Sequence, residues 1–462
     1  MVVSDRRVST ATADPWTRSP RRPSPERRDP RTHKGVVMRS IPKALVLLAA
    51  APLVLLAGCS ASGSDDSSAD GKVTLSISTF SEWGYDDLIE EYQELNPDIT
   101  IEQNKFATSD EAKEKFQTSL GAGSGLSDIV GVDNSWLPQV LENPDNFVDL
   151  SSPDVEGRWN QWNVDLATSA DGKLLGYATD IGPSSITYRA DLFEAAGLPS
   201  DRESVAELFG GDDATWDDFF AVGEKFKAAN TGVPFYDASA SVATSWGDQY
   251  EVLWEDPENG DIIAGTNPEL KKIYDTTMKH DDLSAHLARW TEDWNSSFQN
   301  DGFAVMLSPS WMLGVIEGNA AGVTGWDVAD VFPGGGGNSG GSYLTVPTQS
   351  EHPEEAQALA EWLTAPEQQL KAFESTGNFP SQVEAQNSEE LQQVTNEFFN
   401  NAPVGQILTD RSAAVKEIPY KGDNYFAITD AFNKAINRVS VDKTQNAQES
   451  WDMFLDELGN LE

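Results

Sequence analysis

One cysteine, Cys59, stands in 462 residues. A disulfide within the chain is therefore excluded, and stability has to come from burial of apolar surface. Histidine is nearly as scarce, with four residues. Three follow Cys59, namely His280, His286 and His352, and none has a metal-ligand spacing to cysteine or to another histidine. Basic residues are few, with 32 Lys and Arg against 75 Asp and Glu and a net charge of −43. Eleven of the basic residues but four of the acidic ones precede Cys59, so the remainder is more acidic still. Such a charge repels nucleic acid and anionic lipid headgroups and suits a protein working outside the cell. Long apolar runs are also missing. The stretch Ala44 to Leu56 is about 13 residues, interrupted by Pro52, and is short for a bilayer span.

That stretch is nevertheless the size of a signal-peptide core, and Arg39 and Lys43 give it a positive start. It ends in Leu56-Ala57-Gly58-Cys59. This ending resembles the bacterial lipobox, in which the cysteine is acylated and becomes the mature N-terminus. An ordinary secretory signal with a chance cysteine is the alternative. Residues 59–71 are rich in Ser, Gly and Asp and read as a flexible tether to a lipid anchor. Residues 1–37 are rich in Arg, Pro and Ser, without apolar periodicity, and are expected not to order themselves. With the signal segment spanning 38–58, translation is expected to begin at Met38. A disordered tail is the other reading of residues 1–37.

About 400 residues follow, more than one ordinary core holds, so two domains are expected. Val73 to Thr79 alternates apolar and polar as a strand does. Tyr85 to Leu95 has helical spacing and stops at Asn96-Pro97. Ile99 to Phe106, Glu111 to Leu120, Asp128 to Val132 and Trp136 to Leu141 continue the alternation. Strand, helix, strand, helix, strand predicts a parallel sheet covered by helices. Further helices are predicted over 215–229, 268–280 and 311–317, with strands over 303–307 and 342–346. Pro333 to Gly341 is expected to be a flexible loop. The C-terminal part is predicted to be helical over 353–363, 367–375, 389–400, 425–439 and 447–458. No internal repeat occurs.

From Tyr177 onward the chain carries a series of short motifs. They are Tyr177-Ala178-Thr179-Asp180-Ile181-Gly182-Pro183, Ile186-Thr187-Tyr188-Arg189-Ala190-Asp191-Leu192-Phe193 and Ala196-Gly197-Leu198-Pro199. Ser308-Pro309-Ser310-Trp311-Met312-Leu313-Gly314, Gly340-Gly341-Ser342 and Trp362-Leu363-Thr364-Ala365-Pro366-Glu367-Gln368-Gln369 follow. Gly377-Asn378-Phe379-Pro380-Ser381 and Ala402-Pro403-Val404-Gly405-Gln406-Ile407 complete the series. Their order and spacing resemble the family-1 extracellular solute-binding proteins of ABC sugar importers over residues 73–462, with the greatest likeness to actinobacterial cellobiose and cello-oligosaccharide binders. The resemblance implies an α/β, two-lobe, periplasmic-binding-protein-like fold. Lobe 1 would comprise 72–180 plus 342–376, and lobe 2 would comprise 181–341 plus 377–462. The ligand would lie between them, and hinge bending would close the lobes. It further implies an oligosaccharide ligand, such as cellobiose or cellotriose, and ABC permease subunits as partners. The protein would be a monomer on the outer face of the cell membrane, with no cofactor.

A pyranose presents C–H faces and a rim of hydroxyls, so its site needs aromatic plates and polar partners. Trp311 is the first candidate plate, because it opens a helix directly after a strand. Trp294 is the second, by its position before the Ser-Pro-Ser-Trp motif in the resembling binders, with Trp290 as its replacement. Trp83 follows the first strand, and Trp246 lies among small residues. Asp180, at the expected lobe crossing, is the first polar candidate. Asp133 and Asn134 follow the third strand, where helix capping is an equal role. Gly341 and Ser342 are candidates for donating backbone amides. The Gly-rich loop lacks the Lys-Ser/Thr ending of a phosphate loop. Two other functional classes stay open. A glycosidase would need two carboxylates flanking the bond, and a cell-wall adhesion lipoprotein would need only the anchor.

Overall fold

The computed structural model describes residues 72–461. The expectations for residues 1–71, Cys59 among them, lie outside it. Eight strands form one continuous hydrogen-bonded system. They are β1 (Val73–Phe80), β2 (Ile99–Phe106), β3 (Ile129–Asp133), β4 (Tyr177–Arg189), β5 (Val305–Pro309), β6 (Trp326–Ala329), β7 (Asn338–Thr345) and β8 (Phe379–Pro380). The order is β2-β1-β3-β7-β4-β5, with β6 and β8 also paired to β4.

The predicted parallel sheet holds for β2-β1-β3 alone. Every pairing of β7 and β4 is antiparallel. β4 was not legible as a strand, because all 13 of its residues are buried and no polar alternation marks it. It pairs with β7 through Tyr177–Pro183 and with β5 and β6 through Ser184–Arg189, so it runs from one half of the sheet into the other.

Local sequence explains the helix limits. The helix Ser109–Ala122 starts where the Thr108 side chain accepts from the Glu111 amide and ends at Gly123, φ +66°. Reciprocal capping boxes, Thr215 with Asp218 and Asn446 with Glu449, open the helices Trp216–Ala228 and Ala447–Leu458. The helix predicted over 389–400 is confined to Glu389–Gln392. Beyond it Asn396 accepts from the Phe398 amide, and Asn400 and Asn401 take positive φ. Asparagine favours such local turns over helix.

The expected loop over 333–341 is half strand, since β7 starts at Asn338. Its glycines allow close approach: a Cβ on Gly336 would lie 2.5 Å from the Ala414 carbonyl carbon, and the same holds on the facing strand β4. A Cβ on Gly182 would lie 1.9 Å from the Ser339 carbonyl oxygen. The β4–β7 register shifts between Ala178 and Asp180 and again between Ile181 and Pro183, the step that contains Gly182.

Three buried apolar clusters surround the sheet. One packs Leu75, Ile77, Ile129, Val132, Trp136 and Tyr177 with Tyr343, Leu359 and Leu363. A second gathers Phe193, Phe209, Phe219, Phe226 and Trp246 with Phe432 and Trp451. The third holds Ile181, Trp294, Phe298, Trp326, Phe379 and Leu408. No helix among the described residues is long and apolar enough to cross a membrane.

Candidate ligand-binding site

The stretch Ser339–Ser342 of β7 is the floor on which the candidate residues converge. At one side β3 delivers Asp133 and Asn134. Asp133 Oδ1 accepts from the Ser135 amide at 2.8 Å, a turn-forming bond. Asn134 donates from Nδ2 to the Gly340 carbonyl at 2.5 Å, and its Oδ1 accepts from Lys421 Nζ at 2.6 Å. Trp311, immediately after the turn that follows β5, donates from Nε1 to the Ser339 carbonyl at 2.9 Å. Gly340, φ +105°, is required there, because a Cβ would lie 2.6 Å from that indole nitrogen.

Asp180 binds β7 to β4. Its Oδ1 accepts from the Ser342 amide at 3.0 Å and from Thr179 Oγ1 at 2.8 Å. Burial pushes its pKa up to about 6, with the Asp133 charge adding to the rise and these donors opposing it. Asp248 follows the helix Ser239–Gly247. Burial pushes it up to about 6 as well, against the pull of Lys421 and a hydrogen bond from Ser339. Its Oδ2 is buried and has no hydrogen-bond partner. Burial also lowers the pKa of Lys421, which Asp133 and Asp248 counteract. The floor thus combines three carboxylates, one ammonium and one carboxamide, with an acceptor oxygen unused. That oxygen is closed off from solvent, whereas Asp133 is half-buried and leaves acceptor capacity for a neutral, hydroxyl-bearing ligand.

Several sequence expectations are corrected here. Trp294 is 0% exposed; it packs edge-on against Phe298 and donates from Nε1 to Asp237 Oδ2 at 3.0 Å. It has no face to give a sugar. Trp290 has, at 53% exposed, and its ring lies 18° from parallel to Trp311 with centroids 6.1 Å apart. Trp83 is buried between Phe80 and Tyr85 and fills the space over Gly131. Trp246 is buried and stacked on Trp216 at 4.9 Å. Both are core residues, as large aromatics beside small residues generally are. The Ser342 amide is consumed by Asp180, and Gly341 pairs with Ile181 in the sheet, with its carbonyl accepting from the Asn134 amide. The Ser342 amide is therefore not left to donate to a ligand.

The structure therefore brings Asp133, Asn134, Asp180, Trp311, Gly341 and Ser342 together. Sequence reasoning missed Asp248 and Lys421. Asp248 is one acid among 75 and carries no local mark. Lys421 had one available signal, a lone cation between Tyr420 and Tyr425 in a chain poor in cations.

Residues 87–399 match the profile of a family described as bacterial extracellular solute-binding protein. The chain belongs to that family. A solved structure described as an extracellular solute-binding protein family 1 is 42% identical, with a TM-score of 0.75 over 84% of this chain and 99% of that one. The arabinooligosaccharide-binding protein of Bacillus subtilis (strain 168) is 26% identical over 419 residues, 85% of this chain and 92% of that protein. The ABC transporter associated binding protein of B. animalis subsp. lactis Bl-04, solved with β-1,6-galactobiose, is 19% identical. Its TM-score is 0.70 over 83% of this chain and 96% of that one, a likeness of fold. The mixed α/β architecture is the two-lobe periplasmic-binding-protein-like fold of this solute-binding family.

Proposed function

We propose that this solute-binding protein is the extracellular, oligosaccharide-capturing component of an ABC importer and delivers its ligand to the permease without chemical change. The carrying observation is the floor at Ser339–Ser342. Asn134, carrying the Lys421 cation, binds the Gly340 carbonyl, and Trp311, stacked with Trp290, binds the neighbouring Ser339 carbonyl, with the half-buried Asp133 beside Asn134. Hydroxyls and C–H faces are the two features such a surface can bind. The relatives named for sugars support the same ligand class. Within it, we favour a β-linked gluco-oligosaccharide such as cellobiose or cellotriose. The motif series around Tyr177–Phe193 and Ser308–Gly314 supports this choice, as do the flat faces that equatorial substituents leave on each unit.

The proposed lobes are 72–180 plus 342–376 and 181–341 plus 377–462, closing about β4 and β7, in a monomer. Acylation at Cys59 would hold the protein on the outer face of the membrane. In a Cys59→Ala variant the protein should leave the membrane fraction or remain uncleaved. Unchanged fractionation of the wild type and the variant, with Cys59 unmodified in the wild type, would remove the anchor from the proposal.

Calorimetric titration with cellobiose, cellotriose, laminaribiose and arabinotriose tests the ligand class, with the mixtures then chromatographed. Binding with intact sugar is the expected result. Cleaved sugar would establish the glycosidase reading instead, and no binding by any of the four would defeat the saccharide assignment.

A further inference from the structure

Trp290 combines two unfavourable features. It is a large apolar side chain left 53% exposed, and its backbone sits at φ +69°. A bulky residue in the left-handed region is an outlier that its surroundings have to enforce. The enforcing contacts come from its chain neighbours. Asp237 is 1% exposed, and its carboxylate receives Arg289 Nε at 2.8 Å and Trp294 Nε1 at 3.0 Å, both on Oδ2. Ser241 Oγ donates to its Oδ1 at 3.0 Å. Residues 289 and 294 are thus tied to one buried group. Thr291 caps the next helix by accepting the Trp294 amide at 3.3 Å. The residue between these anchors is thrown outward.

Its indole then meets Trp294 at 5.2 Å and lies against Trp311 at 6.1 Å in offset stacking. No sugar fits between rings in contact, so Trp290 can offer a ligand only its outer face. Neither the exposure nor the left-handed backbone serves the core, whose aromatic contacts Trp294 and Phe298 already supply.

We propose that Trp290 is the outer stacking plate of the sugar site and that Asp237 is its positioning residue, acting through Arg289 and Trp294. This rests on the saccharide reading for its ligand, but part of its test needs no ligand. Stacked indoles give a paired exciton band in circular dichroism, and a Trp246→Phe background removes the contribution of the buried Trp216–Trp246 stack, leaving that of Trp290 and Trp311. Trp290→Gly should lose that band, melt at or above the wild-type temperature because glycine accepts positive φ, and bind cellotriose at least tenfold more weakly. Asp237→Asn should also lose the band and weaken binding. In the Trp290→Gly background it should cost no further affinity. Arg289→Met provides the same test with one arm removed if Asp237→Asn does not unfold cooperatively. A band unchanged in Asp237→Asn or Arg289→Met overturns the positioning role. An affinity loss undiminished in the Trp290→Gly background does so too, and unchanged cellotriose affinity in Trp290→Gly overturns the plate. A wild type that binds none of the four sugars overturns the saccharide reading, and the band and melting results still decide the positioning.

Discussion

The ammonium of Lys421 and the amide oxygen of Asn134 meet at 2.6 Å although 287 positions separate them. One residue precedes the helix Tyr425–Ser440, and the other opens the turn after β3. Asp133 and Asp248 both act on the same ammonium. The contact therefore joins the edge of the β1–β3 half to the C-terminal helical region and neutralises part of an acidic floor.

Lys421→Met should leave those carboxylates without their cation. Hydrogen bonds to charged groups contribute about 1.5–3 kcal/mol, and a loss of this size in the ligand-free protein is expected from urea titration. The unliganded radius of gyration should rise, because the tie from Asn134 is gone. An unchanged midpoint together with an unchanged scattering profile would show that Lys421 is neither a strut nor a charge partner.

Acidification should stabilise the protein through Asp180 and Asp248. Each has its folded pKa raised from 3.8 to about 6 by burial. The folded state then holds the proton more tightly than the unfolded chain. Stability from these groups is lost as pH rises from about 4 through 6, and recovered as pH falls through that window. At 1.36 kcal/mol per pKa unit the effect is about 2–3 kcal/mol for each group. Melting temperature should therefore rise between pH 7.5 and 5, and Asp248→Asn should flatten that rise. Equal slopes in the two proteins would refute the assignment to Asp248.

The local elements were largely legible in the sequence, and the crossing was not. β1 and β2 follow from short-range alternation, and the helix Ala447–Leu458 from its apolar period. β4 is buried on both faces and so shows no period of two. The Gly-rich stretch before Ser342 mimics a loop, because close approach to neighbouring segments such as Ala414, Phe332 and Trp311 calls for glycine as flexibility does. At the site, Trp311 was identified because it opens a helix directly after a strand, and Asp180 because the motif resemblance put it at the expected lobe crossing. Trp294 and Trp290 were exchanged for a different reason. Four residues apart, they differ only in which side of a turn they leave, and the buried Asp237 fixes that choice. No local pattern encodes a partner more than 50 positions away.

Gly182→Ala tests that crossing directly. The added Cβ would lie 1.9 Å from the Ser339 oxygen and 2.7 Å from its carbonyl carbon, both backbone atoms in a paired strand. Overpacking typically costs about 1–3 kcal/mol, and an unyielding backbone contact places this variant at or above the top of that range. Gly318→Ala is the control, since its Cβ would meet nothing within 4 Å. In a helix it should be neutral or stabilising by about 0.5–1 kcal/mol. Denaturant midpoints for the pair should move apart; a tolerated Gly182→Ala would show that β4 and β7 can separate at this point.

Trp311 has two jobs, and its substitutions should separate them. It is half-buried at the edge of the third core, and its Nε1 holds the Ser339 carbonyl at 2.9 Å. A fully buried tryptophan would cost about 3–5 kcal/mol on truncation to alanine. Partial burial lowers that figure, so Trp311→Ala should retain a cooperative melt at a reduced temperature. Its affinity for cellotriose should fall by about tenfold or more, since about 1.4 kcal/mol corresponds to a decade and aromatic contacts contribute on that scale. Trp311→Phe keeps an aromatic face and loses the N–H. It should recover most of the affinity while still melting below wild type, because the Ser339 oxygen loses its donor at a net cost of about 0.5–1.5 kcal/mol. Paired calorimetry and melting read both quantities on the same samples. If Trp311→Phe bound as weakly as Trp311→Ala, the indole N–H and the floor it fixes would control affinity. The stacking face would then belong to Trp290 alone.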